Sequence, residues 1–139
     1  IDCSAEAVAT ALANAAALGL EARYRAMQGD WLSGVDERFD IIVSNPPYIV
    51  SSEIDRLSIE VRLHDPRAAL DGGGDGLDAY RAIAGQVEDH LKPGGMVLVE
   101  IGEGQSSDVT AIFAAAGYKL TSSFADLSKI ERVLVFNHG

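Results

Sequence analysis

The chain has few of the residues that would staple it, anchor it or load it with metal. One cysteine, Cys3, stands among 139 residues, which excludes an internal disulfide and fits a reducing compartment. No stretch approaches the ~20 consecutive apolar residues of a membrane-spanning helix, and no signal-peptide pattern opens the chain. His64, His90 and His138 lie far apart with no second ligand at metal spacing, so no zinc or iron site is expected. Positive charge is scarce as well. Eleven Lys and Arg against 21 Asp and Glu give a formal net charge of −10, which argues against a nucleic-acid backbone as the main partner. Arg56, Arg62 and Arg67 are interleaved with acids and read as a solvated mixed surface. Repeats, linkers and low-complexity segments are missing, and the length suits one domain with one core. The first residues, Ile1-Asp2, look like the end of a strand without an initiating methionine, as if cut from something longer.

Proline is rare too, yet two of the four are adjacent, in Asn45-Pro46-Pro47-Tyr48. They follow the β-branched run Phe39-Asp40-Ile41-Ile42-Val43-Ser44, which reads as a short buried strand over 40–44. Neither proline can donate to a sheet ladder, and each biases the residue before it toward an extended conformation. The strand must therefore stop in a stiff corner, and open α/β sheets bind ligands just outside the carboxyl ends of their strands. The side-chain oxygen of Asn45 and the backbone oxygen of Pro46, aimed at one point, suit a planar –NH2 group. Each takes one N–H, leaving the face of the nitrogen open to an electrophile, while Tyr48 supplies a flat wall. That is the logic of methylation at an amino or amide nitrogen. Orientation of this kind contributes roughly 7–11 kcal/mol in favourable cases, without a metal or a strong base. The plainer reading is a proline-stiffened loop after a strand.

Elsewhere, Ser4 is a good helix N-cap, and alanine-rich periodicity carries that helix to about Leu18, where Gly19 ends it. Residues 22–27 read as a short strand leading to Gly29-Asp30-Trp31. A long mixed stretch over 51–76, with a short helix at 52–58, is of the length that loops reach when they carry function. Asp75 is expected to cap a helix over 77–91, stopped by Lys92-Pro93-Gly94-Gly95. A buried strand over 96–101, a helix over 106–116 ended by Gly117, and an antiparallel strand pair at 118–124 and 131–136 complete the reading. Gly102-Glu103-Gly104 lacks the third glycine of a dinucleotide loop, and Glu103 would repel a pyrophosphate. Gly72-Gly73-Gly74 reads as a flexible turn rather than an anion nest, because Asp71 and Asp75 flank it.

With these residues placed, the chain resembles the C-terminal part of a class I S-adenosylmethionine-dependent methyltransferase. More narrowly, it is similar to the bacterial peptide chain release factor N5-glutamine methyltransferases. The resemblance covers essentially the whole chain. It is carried by Ser44-Asn45-Pro46-Pro47-Tyr48-Ile49, Glu60-Val61, Asp65-Pro66, Ala69-Leu70, Gly72-Gly73 and Asp75-Gly76-Leu77. Asp30-Trp31, Glu100-Ile101-Gly102 with Gln105, and Asp126 with Glu131-Arg132 add to it. The Pro-Pro tetrapeptide is shared with DNA adenine and RNA guanine N-methyltransferases, so an amino-group methyltransferase acting on nucleic acid is the alternative. The segment over 60–77 and the acidic charge favour glutamine.

The resemblance implies an α/β fold of the Rossmann-like class I type, a three-layer sandwich with a C-terminal antiparallel strand pair. Here it would be truncated, since the family's first strand, glycine-rich loop and N-terminal helical domain have no counterpart in these residues. Residues 1–139 would form a partial catalytic domain. S-adenosylmethionine is the implied cofactor, and the implied partner is a peptide chain release factor, through its Gly-Gly-Gln loop, in the cytoplasm. Asn45 and the Pro46 carbonyl would hold the glutamine amide, with Pro47 and Tyr48 bordering it and Asn45 also meeting the cofactor. Asp2 would take the ribose hydroxyls, with a helix N-terminal acid as the plainer reading. Asp30 would lie near the adenine and Trp31 on its face, against a turn aspartate and a core tryptophan. Unpaired strand edges are expected to invite pairing with another copy, and the residues alone are open to being a non-catalytic fragment.

Overall fold

The computed structural model describes residues 1–139. They divide into two compact units, residues 1–37 and 38–139.

The first unit is built on helix α1 (Ala5–Ala17). Ser4 caps it as its sequence suggests: the Ser4 hydroxyl oxygen accepts the Ala7 N–H at 3.2 Å. Gly19 ends it at φ +67, and the Leu20 N–H returns to the Ala15 carbonyl. The strand expected over 22–27 does not form. Glu21–Arg23 make a 3-10 turn, and extended pairing is limited to a single bridge between Asp2 and Gln28. A strand needs a ladder, and here two backbone hydrogen bonds make up the whole bridge. They run from the Asp2 N–H to Met27 and from the Gly29 N–H to Asp2.

The second unit is a four-stranded sheet in the order β1-β2-β4-β3, made of β1 (Phe39–Ser44), β2 (Leu91–Glu100), β3 (Tyr118–Ala125) and β4 (Glu131–His138). Strand β1 runs parallel to β2, and the other two neighbours pair antiparallel. Between β1 and β2 lie α2 (Ile59–His64) and α3 (Asp78–His90), and α4 (Ser106–Ala115) joins β2 to β3. The core sits on one face. Val97, Val99, Leu134 and Phe136 from the sheet meet Tyr80, Ile83 and Val87 of α3 and Val109 and Phe113 of α4. Phe113 stacks on Phe136 at 4.3 Å between ring centroids and meets Tyr118 edge-on at 6.4 Å.

Four expectations shift. Strand β1 is not buried: it is an edge, paired only with β2, and while Ile42 joins the core, Ile41 and Val43 are 54% and 72% exposed. A run of β-branched residues cannot say whether both faces are covered. The short helix over 52–58 is a 3-10 turn, Ser51–Arg56, and the α-helix follows it at Ile59–His64. Asp75 is not the N-cap of α3, which is Leu77. Asp75 instead accepts the Leu77 N–H at 3.1 Å and pairs with Arg81. Helix α3 ends at His90, just ahead of the glycine-proline stop, and β2 runs through that stop from Leu91, which pairs with Phe39 ahead of a register shift. The C-terminal strand pair forms as expected. Its turn is closed by Asp126, whose Oδ1 accepts the N–H groups of Ser128 and Ile130 while Oδ2 meets Arg132.

Candidate active site

The ladder between β1 and β2 ends at Ser44 opposite Val99. The next residue, Asn45, is exposed at the carboxyl end of the parallel strand, Pro46 is buried, and Pro47 and Tyr48 are half-buried. This follows from the two prolines: with no N–H to offer, the chain leaves the sheet and packs its first ring while the asparagine side chain stays accessible.

What pins the far side of this corner is a second, smaller pairing. The Ile49 N–H donates to Leu70, the Gly72 N–H to Ile49, and the Ser51 N–H to Gly73, forming a parallel bridge between Ile49 and Asp71. The Asp71 carboxylate locks it. Oδ1 accepts the Ser51 hydroxyl and the Gly73 N–H, and Oδ2 accepts Arg67 Nε at 3.1 Å. Those partners, the Ser51 hydroxyl foremost, hold the Asp71 carboxyl below its ordinary range. The long stretch after the corner is therefore tied at both ends. The Gly72 and Gly73 N–H groups are both spent within the protein, so this turn is no anion nest.

Three glycines let neighbouring chain approach Tyr48. A Cβ at 72 would lie 2.8 Å from Tyr48 Cα, one at 76 would lie 2.5 Å from the Tyr48 carbonyl oxygen, and one at 102 would lie 2.9 Å from ring atom Cδ2. Gly102 belongs to the turn after β2, the segment weighed as a dinucleotide loop. Its N–H donates to Gln105 Oε1 at 2.9 Å, so it is committed inside the protein. Sequence reasoning gave no role to Asp71 or Gln105, although both lie in segments that carried the resemblance. The signal that could have found them is the spacing of glycines at 72, 76 and 102, each demanding a close neighbour.

Of the other expected site residues, Asp2, Asp30 and Trp31 lie in the first unit. The bridge to Gln28 brings Asp2 beside the segment that carries Asp30 and Trp31. Asp2 and Asp30 are exposed, and Trp31 is half-buried at φ +55. Asp2 Oδ1 accepts the Ser4 N–H at 2.8 Å, a local turn just ahead of the helix that Ser4 caps. That bond occupies one carboxylate oxygen of an exposed group. Two exposed carboxylates can accept from hydroxyls such as those of a ribose, and the half-buried indole offers a flat surface of the kind a base packs on. No group of His, Cys, Asp or Glu side chains is placed to hold a metal ion, and no helix is long and apolar enough to cross a membrane.

A helix-backed sheet with an Asn-Pro-Pro-Tyr corner at a parallel strand's carboxyl end defines a Rossmann-like methyltransferase fold. A methyltransferase from Pyrococcus furiosus has that fold, with a TM-score of 0.68 at 19% identity over 96% of this chain and 58% of its own. The chain belongs to the methyltransferase small domain family, which its residues 1–78 match. A release factor glutamine methyltransferase of Caulobacter vibrioides is 51% identical over 136 residues, 97% of this chain and 47% of the relative. One of Cereibacter sphaeroides is 48% identical over 133 residues, 96% of this chain and 48% of the relative. The chain thus spans about half the length of the curated relatives it matches.

Proposed function

We propose that this chain is part of the catalytic domain of a cytoplasmic methyltransferase acting on a glutamine side-chain amide of a peptide chain release factor, within its Gly-Gly-Gln loop. The observation that carries the reading is the exposed Asn45 beside the buried Pro46, at a strand end whose following segment is locked by Asp71. The two relatives named as release factor glutamine methyltransferases, at about 50% identity, support the choice of substrate.

S-adenosylmethionine, when bound, supplies a sulfonium methyl. In this chain, Asn45 Oδ1 and the Pro46 carbonyl each accept one N–H of the substrate amide, which turns the nitrogen and holds it. Pro47 keeps the corner stiff, and Tyr48 borders the glutamine. Fixed dipoles facing a nitrogen that gains positive charge favour that charge without having to reorganise. The proton leaves afterwards to water, so no strong base is required. Within residues 1–37, Asp2 takes the ribose hydroxyls, and Asp30 and Trp31 the adenine.

The test is transfer of a labelled methyl by the full-length protein to purified release factor, DNA and RNA. Transfer to release factor is expected, and transfer only to nucleic acid would end the glutamine reading. Asn45→Ala should lower turnover by about 10²–10³-fold, the scale of losing one aligned dipole in a reaction site, with affinity for S-adenosylhomocysteine retained. Equal loss of both would make Asn45 a structural residue.

A further inference from the structure

The Gln105 side chain spends its whole hydrogen-bonding capacity inside the protein. Nε2 donates to the Tyr48 carbonyl at 3.1 Å and to the Gly76 carbonyl at 3.2 Å. Oε1 accepts the Gly102 N–H at 2.9 Å and the Tyr80 hydroxyl at 3.3 Å, and Tyr80 shares that proton with the Glu100 carbonyl at 2.9 Å. A primary carboxamide has two donors and two acceptor lone pairs. All four are used, and the partners, two carbonyls on one side and two donors on the other, allow only one orientation. Gln105 stands at the N-cap of α4, yet its side chain makes no capping bond to that helix. Tyr80 is fully buried, and burial pushes its hydroxyl well above the ordinary phenol range, so it stays a donor.

Three of the four bonds join segments far apart in sequence, the corner at Tyr48, the turn at Gly76 and the turn at Gly102, and the fourth reaches Tyr80 on α3. These are the segments whose glycines crowd Tyr48. The Tyr48 carbonyl lies two residues from the Pro46 carbonyl along a chain that prolines keep stiff. Fixing one therefore restricts the other.

We infer that Gln105 is a positioning residue for the amide-holding corner: its carboxamide sets the Tyr48 carbonyl against the Gly76 turn, and thereby where Pro46 and Asn45 present their oxygens. The inference rests on the methyltransferase reading above. A glutamine that only filled the interior would act on stability alone. One that positions the corner acts on turnover, since a misplacement of ~1 Å costs about 10²-fold in rate.

The experiment uses the full-length protein with Gln105→Glu, which sets an oxygen against two carbonyls at unchanged size, and Gln105→Met, which removes all four bonds at similar volume. Turnover at saturating release factor should fall by about 10–10²-fold, with KM and S-adenosylhomocysteine affinity within about threefold. Amide hydrogen exchange should rise at Ile49 and Ser51 and stay unchanged at Val97 and Val99. Native turnover in either folded variant overturns the inference, as does a loss of turnover matched by equal losses of cofactor affinity and thermal midpoint. If the unsubstituted protein methylates no release factor, the functional reading fails by itself. Exchange then decides the rest: a rise at Ile49 and Ser51 in either variant supports the positioning role, and unchanged exchange there overturns it.

Discussion

Replacing Gly76 by alanine should do more harm than replacing any glycine on the outer turns, and the size of that harm follows from two separate effects. Gly76 sits at φ +76, where a Cβ costs roughly 1–2 kcal/mol. That methyl would also lie 2.5 Å from the Tyr48 carbonyl oxygen and 2.9 Å from Gln105 Nε2. The shorter distance is roughly 1 Å inside ordinary van der Waals contact. Overpacking of this kind costs about 1–3 kcal/mol, so the sum is roughly 2–5 kcal/mol. Two controls separate the effects. Gly104 has φ +82 with nothing within 4 Å, so Gly104→Ala carries only the backbone cost of roughly 1–2 kcal/mol. Gly74 has neither a positive φ nor a neighbour within 4 Å, so Gly74→Ala should stay within about 0.5 kcal/mol. Urea unfolding of the three variants gives the ranking from the midpoints at constant slope. The methyl also collides with both partners of one hydrogen bond, so Gly76→Ala should slow methyl transfer by about 10²-fold while Gly104→Ala leaves it near native. A Gly76→Ala variant as stable and active as Gly104→Ala would refute the placement of the Tyr48 carbonyl and the reasoning built on it.

Two further predictions concern the lock and the core. The folded-state pKa of Asp71 is depressed by the Ser51 hydroxyl, the Gly73 N–H and Arg67. Its contribution is therefore present above the unfolded carboxylate pKa of about 4 and lost as pH falls through the lower folded value. Amide exchange at Ile49 and Gly72 should accelerate in that acid window, and Asp71→Asn should remove the dependence; a profile unchanged by the substitution would sink it. Phe113 is fully buried and stacked on Phe136, so Phe113→Ala should cost about 3–5 kcal/mol by denaturant unfolding. A cost below about 1 kcal/mol would mean that α4 does not pack on β4 as described.

The elements legible in the residues are those whose cause is local. Ser4 caps α1 and Gly19 ends it because a hydroxyl three residues from an N–H and a left-handed glycine act within one turn. The same holds for β1 ending at Ser44, where two prolines withhold their donors, and for the hairpin of β3 and β4. What was misread depends on a neighbour. Residues 22–27 have a strand's composition, but no ladder forms along them, and the one bridge joins Asp2 to Gln28 just beyond. Strand β1 has the composition of a covered strand, but it stands at an edge with Ile41 and Val43 exposed. Burial and pairing belong to the partner as much as to the segment, and a residue pattern carries only the segment's half.

The site divides along the same line. Asn45 and Pro46 could be proposed from sequence because an amide-holding corner would need an acceptor side chain next to a residue that cannot donate, and sequence adjacency supplies it. Asp71, Gln105 and Tyr80 were not visible as a set, because the chain brings them to Tyr48 from 23, 57 and 32 residues away. Their trace in the sequence is indirect: glycines at 72, 76 and 102, where backbone must pass close to Tyr48, and a glutamine three residues after the last of them. A glutamine there can reach back to the Gly102 N–H and forward to the Tyr48 and Gly76 carbonyls only because no Cβ stands in the way. Glycine spacing thus encodes the support of the corner, while the asparagine and prolines encode the corner itself. A change in either should alter turnover, but only a change in the support should also move the exchange of the Ile49 and Ser51 amides.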